Sequence, residues 1–237
     1  MLLSRMATGE PEVFASVQGE GFSVGVPSVF VRVAECNLTC TWCDTRYTWD
    51  WERYDRNAET MVLPVDDVLA RVLALAGESI RNAVLTGGEP LLHQDDLAAL
   101  AGRLRERGFR IEIETNGAIE PAAALAAVVD QWNVSPKLES SGNKKSARLR
   151  TGPLIRFASL PNATFKFVAC GPADLDEIES IAKAFALPRD RIIVMPEATE
   201  PAKLGDSSRW LVPLCQQHGL RFGTRLHVML WGSDRGR

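Results

Sequence analysis

Short runs of β-branched and apolar residues alternate with longer amphipathic stretches, and that alternation limits the fold more than any other feature of the chain. Val29–Val33, Ala83–Thr86, Arg110–Glu114, Gln131–Val134, Phe165–Val168 and Ile192–Met195 read as strands, with a final strand at Phe222–Val228. Between them Val65–Ala76, Asp95–Arg107, Pro121–Val129, Leu175–Ala186 and Arg209–Gln217 have helical spacing. Val65–Ala76 carries its acidic residues early and stops at Gly77; Asp95–Arg107 opens on Asp and ends basic before Gly108. Such alternation implies parallel strands joined by crossover helices. The units fall short of eight, so the expected fold is α/β: an incomplete (β/α) barrel. The 237 residues, 46% of them hydrophobic, suffice for one core, and one domain over 1–237 is expected. Two segments break the pattern. Thr45–Leu63 is long and aromatic where a crossover helix would stand, and Glu139–Arg150, polar and basic, reads as a surface loop or insertion.

In barrels of this kind the chemistry collects on the loops that follow the strands. The unusual residues of this chain do follow strand ends. Cys36, Cys40 and Cys43 come after the first strand, and Gly87-Gly88-Glu89-Pro90 after the second. Glu114 to Gly117, Ser135-Pro136-Lys137 and Met195-Pro196-Glu197 come after later ones.

The chain has five cysteines. An odd count with three clustered thiols does not describe a disulfide framework. Cys170 and Cys215 stand alone in or beside apolar stretches and read as small buried residues. A four-iron cluster takes four thiolates, and Cys36-x3-Cys40-x2-Cys43 offers three, so one iron would stay open to another ligand. A structural zinc site completed from a distance is the alternative, although none of His93, His218 and His227 is near in sequence. In the Gly-Gly-Glu-Pro run the glycines allow close backbone approach to a ligand, and Glu89 could receive an ammonium. The same run could be no more than a tight turn.

CNLTCTWCD resembles the cluster motif of the radical S-adenosylmethionine (SAM) superfamily, and Thr86-Gly-Gly-Glu-Pro90 its motif for the SAM amino group. A narrower resemblance runs from about residue 13 to residue 232. FASVQGEG, then GVPSVFVR, then CNLTCTWCDT, and near the end RLHVMLWG are similar to the 7-carboxy-7-deazaguanine synthase family. The resemblance implies a barrel of the radical SAM type with a [4Fe-4S] cluster on Cys36, Cys40 and Cys43, whose open iron is chelated by SAM. An electron from the cluster would cleave SAM to a 5′-deoxyadenosyl radical, which takes hydrogen from C6 of 6-carboxy-5,6,7,8-tetrahydropterin. Ring contraction and loss of ammonia would follow, with SAM regenerated.

The same resemblance assigns SAM to Trp42, Asp44, Gly87, Gly88, Glu89, Glu114, Asn116, Ser135, Pro136, Lys137, Met195, Pro196, Glu197 and Ala198. It assigns substrate to Val17, Gln18, Gly19, Glu20, Arg32, Thr86 and His227, and Mg2+ to Thr45. The chemistry suits these roles. Gln18 offers donor and acceptor to a pterin edge, Glu20 accepts from its N–H groups, and Arg32 matches a carboxylate. A hydroxyl with substrate oxygens suits magnesium. Each residue also has a plainer reading: loop packing for Trp42, a loop cap for Glu114, turn caps for Asp44 and Thr45, solvated positions for Gln18, Glu20 and Arg32, and an ordinary strand histidine for His227.

A homodimer and a flavodoxin-like reductant are implied as partners. Net charge is -3 with both signs dispersed, so charge does not point to nucleic acid or a membrane. No apolar run approaches the roughly 20 residues of a membrane span. Met1–Glu10 holds one Arg and a two-Leu stub, which argues against a secretory signal and for a cytoplasmic protein. Two rival functions share these motifs: an activating enzyme for a glycyl-radical protein, and a non-enzymatic iron–sulfur or zinc module.

Overall fold

The structure is a computed structural model that describes residues 1–237. Its strands in chain order are β1 Leu2–Ser4, β2 Val13–Val17, β3 Pro27–Val33, β4 Thr60–Val62, β5 Asn82–Gly87, β6 Arg110–Thr115, β7 Gln131–Val134, β8 Ala163–Ala169, β9 Ile192–Pro196 and β10 Arg221–Phe222. All ten share one sheet, ordered β10-β9-β8-β7-β6-β5-β3-β1-β4, with β2 also on β3. From β3 to β10 the pairing is parallel, and helices fill the crossovers. β1, β2 and β4 add antiparallel pairs beyond β3. The sheet does not close on itself, which gives the incomplete (β/α) barrel the sequence predicts.

Period-two alternation decides what each face carries. Val29, Val31 and Val33 of β3, Ala83 and Leu85 of β5, Ile111 and Ile113 of β6, and Phe165 and Phe167 of β8 join one apolar core. Helical Val68, Val72, Leu97, Leu100, Leu104, Phe157 and Ile178 cover them from outside. Each fully buried Leu, Val or Phe of this layer contributes about 1.5–3 kcal/mol. The opposite phase is polar: Arg32 of β3, Thr86 of β5, Glu112 and Glu114 of β6, Asn133 of β7 and Lys166 of β8. A small apolar group, Phe14, Phe30 and Val84, lies between the polar residues. Val65–Ala76 forms as predicted, and Gln94–Arg105 nearly so.

Several expectations are corrected. Phe222–Val228 is not a strand: pairing ends at Phe222, the Gly223 N–H gives a last bond to Val194 O at 2.8 Å, and Leu226–Trp231 is a helix. Within Pro121–Val129 only Ala123–Ala126 is helical. The last long helix starts earlier, at Pro201, and a helix at Thr151–Ser159 lies outside every predicted one. Cys170 is exposed, because β8 ends at Ala169 and the chain turns there; Cys215 is buried as expected. Glu139–Arg150 is no loose insertion, since Ser141 and Arg148 are buried.

Candidate active site

The strand ends and the segment after β2 enclose a cavity of about 200 Å³. At one end stand Cys36, Cys40 and Cys43 with Trp42, Trp49, Gly87, Gly88, Asn116, Ser135 and Lys137. β3 and β5 lie side by side, so the cysteine loop and the Gly-Gly turn meet. A Cβ on Gly87 would overlap Val33 O, and one on Gly88 would overlap Glu35 O, so only glycine lets the two loops touch. Burial, aided by nearby Glu89, pushes the Cys36 thiol up to about 12. Binding iron must therefore displace protons from this site. Trp42 Nε1 is buried without a partner, and Lys137 Nζ sits 5.4 Å from the Trp42 ring centre.

The same cavity is lined by a largely buried charge network. Lys166 Nζ donates to Glu20 Oε2 at 2.8 Å and Glu114 Oε1 at 2.9 Å. Arg225 Nε donates to Glu20 Oε1 at 2.8 Å, its Nη1 to Ala198 O at 2.5 Å, and its Nη2 to Asp44. Gln18 Nε2 and Thr86 Oγ1 donate to Glu114 at 3.4 and 2.8 Å. Burial alone would raise Glu20 and Glu114. The Lys166 ammonium overcomes this for both, helped by Arg225 for Glu20, and holds both carboxylates below their usual range. Arg32 spends only its Nε, on Glu12 Oε1 at 2.8 Å, and no protein group takes its terminal nitrogens. His227 stands beside Gly19 with Nε2 3.9 Å from Glu20 Oε1, and burial lowers its basicity.

The structure gathers Val17, Gln18, Gly19, Glu20, Arg32, Trp42, Asp44, Thr45, Thr86, Gly87, Gly88, Glu114, Asn116, Ser135, Lys137 and His227 around this cavity with the three cysteines. It leaves Glu89, Pro136, Met195, Pro196, Glu197 and Ala198 off the cavity wall. Glu89 differs most from expectation. It is fully buried and accepts from Leu91 N, Thr115 Oγ1 and Asn116 N at 3.0, 2.7 and 2.8 Å. Its oxygens thus tie the turn to β6. Met195 and Ala198 are buried, and Glu197 pairs with Lys203. Glu114 lies in the charge network, where β6 points it toward Lys166. His227 opens a helix, where a strand end was expected.

Residues 31–200 match the family model described as the radical SAM superfamily. The chain is 40% identical over 228 residues to 7-carboxy-7-deazaguanine synthase of Pyrobaculum aerophilum, covering 95% of this chain and 96% of the relative. The chain belongs to the 7-carboxy-7-deazaguanine synthase family. The enzyme of that name from Halobacterium salinarum is 36% identical, with 94% and 90% coverage. The crystal structure of QueE from Escherichia coli superposes with a TM-score of 0.70 at 26% identity, covering 96% and 95%.

Radical SAM enzymes of this family work with a [4Fe-4S] cluster and SAM, and the residues present fit both. Three thiols face one cavity, each already receives an N–H donor, and a buried indole N–H beside them is unpaired. Four further residues belong to this site without standing out as site residues in the sequence: Lys166, Arg225, Trp49 and Asn143. Lys166 could have been found from the Phe-Lys-Phe alternation within β8, since a charge in a strand buried on both faces needs an inward partner. Asn143 had no local signal.

Proposed function

We propose that the chain converts 6-carboxy-5,6,7,8-tetrahydropterin to 7-carboxy-7-deazaguanine with loss of ammonia. The single observation that carries this is one cavity lined both by three thiols and by a largely buried carboxylate network beside an arginine with free terminal nitrogens. Cluster and SAM bound at the thiol end would supply a carbon radical able to take hydrogen from the substrate. The chain's own residues bind and orient. Glu20 and Glu114, held ionised, accept from the amino and ring N–H groups of the pterin. The free Arg32 nitrogens take its carboxylate. His227, kept neutral by burial, can hold a proton at Nε2 on that edge of the substrate.

The Thr45 hydroxyl together with substrate oxygens makes a donor set that suits Mg2+, which would polarise a substrate oxygen. SAM is assigned to the wall with Trp42, Asp44, Gly87, Gly88, Asn116, Ser135 and Lys137. A single domain, a homodimer, a flavodoxin-like reductant and a cytoplasmic location follow from the family resemblance; no helix is long and apolar enough to cross a membrane. The deciding experiment incubates anaerobically reconstituted protein with SAM, a reductant, Mg2+ and the carboxylated pterin. 7-Carboxy-7-deazaguanine by mass spectrometry is expected. A loaded cluster that yields 5′-deoxyadenosine but no deazapurine would reject the substrate.

A further inference from the structure

Each clustered thiol receives one N–H donor, and two of the three come from side chains outside the cysteine motif. Leu38 N lies 3.5 Å from Cys36 Sγ, Trp49 Nε1 lies 3.3 Å from Cys43 Sγ, and Asn143 Nδ2 lies 3.2 Å from Cys40 Sγ. The Asn143 amide can point only one way. Its Oδ1 accepts from Thr39 N at 2.9 Å, which leaves the NH2 for sulfur. The segment carrying Asn143 is seated firmly on the cysteine loop. Thr41 N donates to Ser141 O at 3.0 Å, and buried Arg148 holds Asn143 O at 3.2 Å and Glu177 at 2.7 Å.

From this we infer that Trp49 and Asn143 are positioning residues that poise the reduction potential of the cluster through N–H···S hydrogen bonds. The inference rests on Cys36, Cys40 and Cys43 being the cluster ligands. Reduction adds one negative charge to the cluster, and part of it resides on the sulfurs. An N–H donor is worth more against the more negative form. Hydrogen bonds to the sulfurs therefore raise the potential. The two donors ease reduction of the cluster by an external electron donor and moderate its power toward the sulfonium. Trp49 comes from the aromatic segment after the last cysteine and Asn143 from the segment after β7, so two separate stretches of chain set one redox property.

The test is an electron-paramagnetic-resonance redox titration of the reconstituted full chain, with iron and sulfide measured on each sample. Trp49→Phe keeps a ring and loses the N–H; Asn143→Ala loses the amide. Ser140→Ala removes a hydroxyl of the same segment that bonds Asp174 at 3.2 Å and touches none of the three clustered thiols. Full iron with a lower potential is expected in W49F and N143A, a fall of roughly tenfold in the reduction equilibrium constant, about 59 mV for one electron. The double variant should fall further, and S140A should match the wild type. Unchanged potentials in fully loaded W49F and N143A would overturn the inference, as would an equal fall in S140A. Loss of iron in both variants would overturn it too, since the residues would then serve only to retain the cluster. A wild type without a four-iron spectrum would overturn the ligand assignment itself.

Discussion

Lys166 and Glu20, 146 residues apart in the chain, meet at 2.8 Å inside the barrel. The lysine is buried, and its only other partner is Glu114. Taking its charge away leaves Glu114, largely buried, without a cation and Glu20 with Arg225 alone. Lys166→Met should cost about 3–5 kcal/mol. Chemical denaturation measures this; a loss below about 1 kcal/mol, the worth of an exposed pair, would show that water compensates the carboxylates.

Gly19 lies where a Cβ would overlap the His227 ring. Gly19→Ala should push the imidazole aside and leave the cluster untouched. We expect KM for the pterin to rise about tenfold, roughly 1.4 kcal/mol of binding, at unchanged iron content. Equal KM values would mean that His227 does not touch the substrate.

How far these relationships could be read in advance depends on whether their cause is local. Val65–Ala76 was legible end to end because Pro64 and Gly77 bracket an amphipathic stretch. The alternation Arg-Ile-Glu-Ile-Glu announced β6, but not which face its carboxylates take. β1 and β4 are three residues each, too short for a period to show. The end of the chain looked extended from Phe222 to Val228 through its apolar residues. There the pull of Glu20 and Asp44 on Arg225, invisible locally, accompanies the turn into a helix. The Gly-Gly-Glu-Pro run gives no sign of the three donors to Glu89, which come from the following turn and from β6.

Burial lowers the pKa of His227 below its ordinary value of 6.5. The unfolded chain then binds the proton more readily than the folded one, so stability is full above 6.5 and falls as pH drops through the folded value. Glu20 and Glu114 are held low, and their contribution is lost only in more acid solution. Melting temperatures at about pH 7.5 and about pH 5.5 should therefore differ more in the wild type than in His227→Gln. Identical differences would place the acid sensitivity elsewhere.

Gly88 packs against backbone, and backbone cannot step aside. Gly88→Ala should cost about 1–3 kcal/mol and lower the iron retained, because the added methyl would part the turn from the cysteine loop at Glu35 O. A variant with wild-type melting temperature and iron would contradict this contact.

Arg225 reaches back across 205 positions of sequence to Glu20. During synthesis Glu20 and Asp44 exist long before the guanidinium that neutralises them has been made. A nascent chain halted before residue 225 has every clustered thiol and Lys166, yet Asp44 and one oxygen of Glu20 still lack their arginine. The charge balance of carboxylates laid down near the start of the chain is thus completed only by its last stretch.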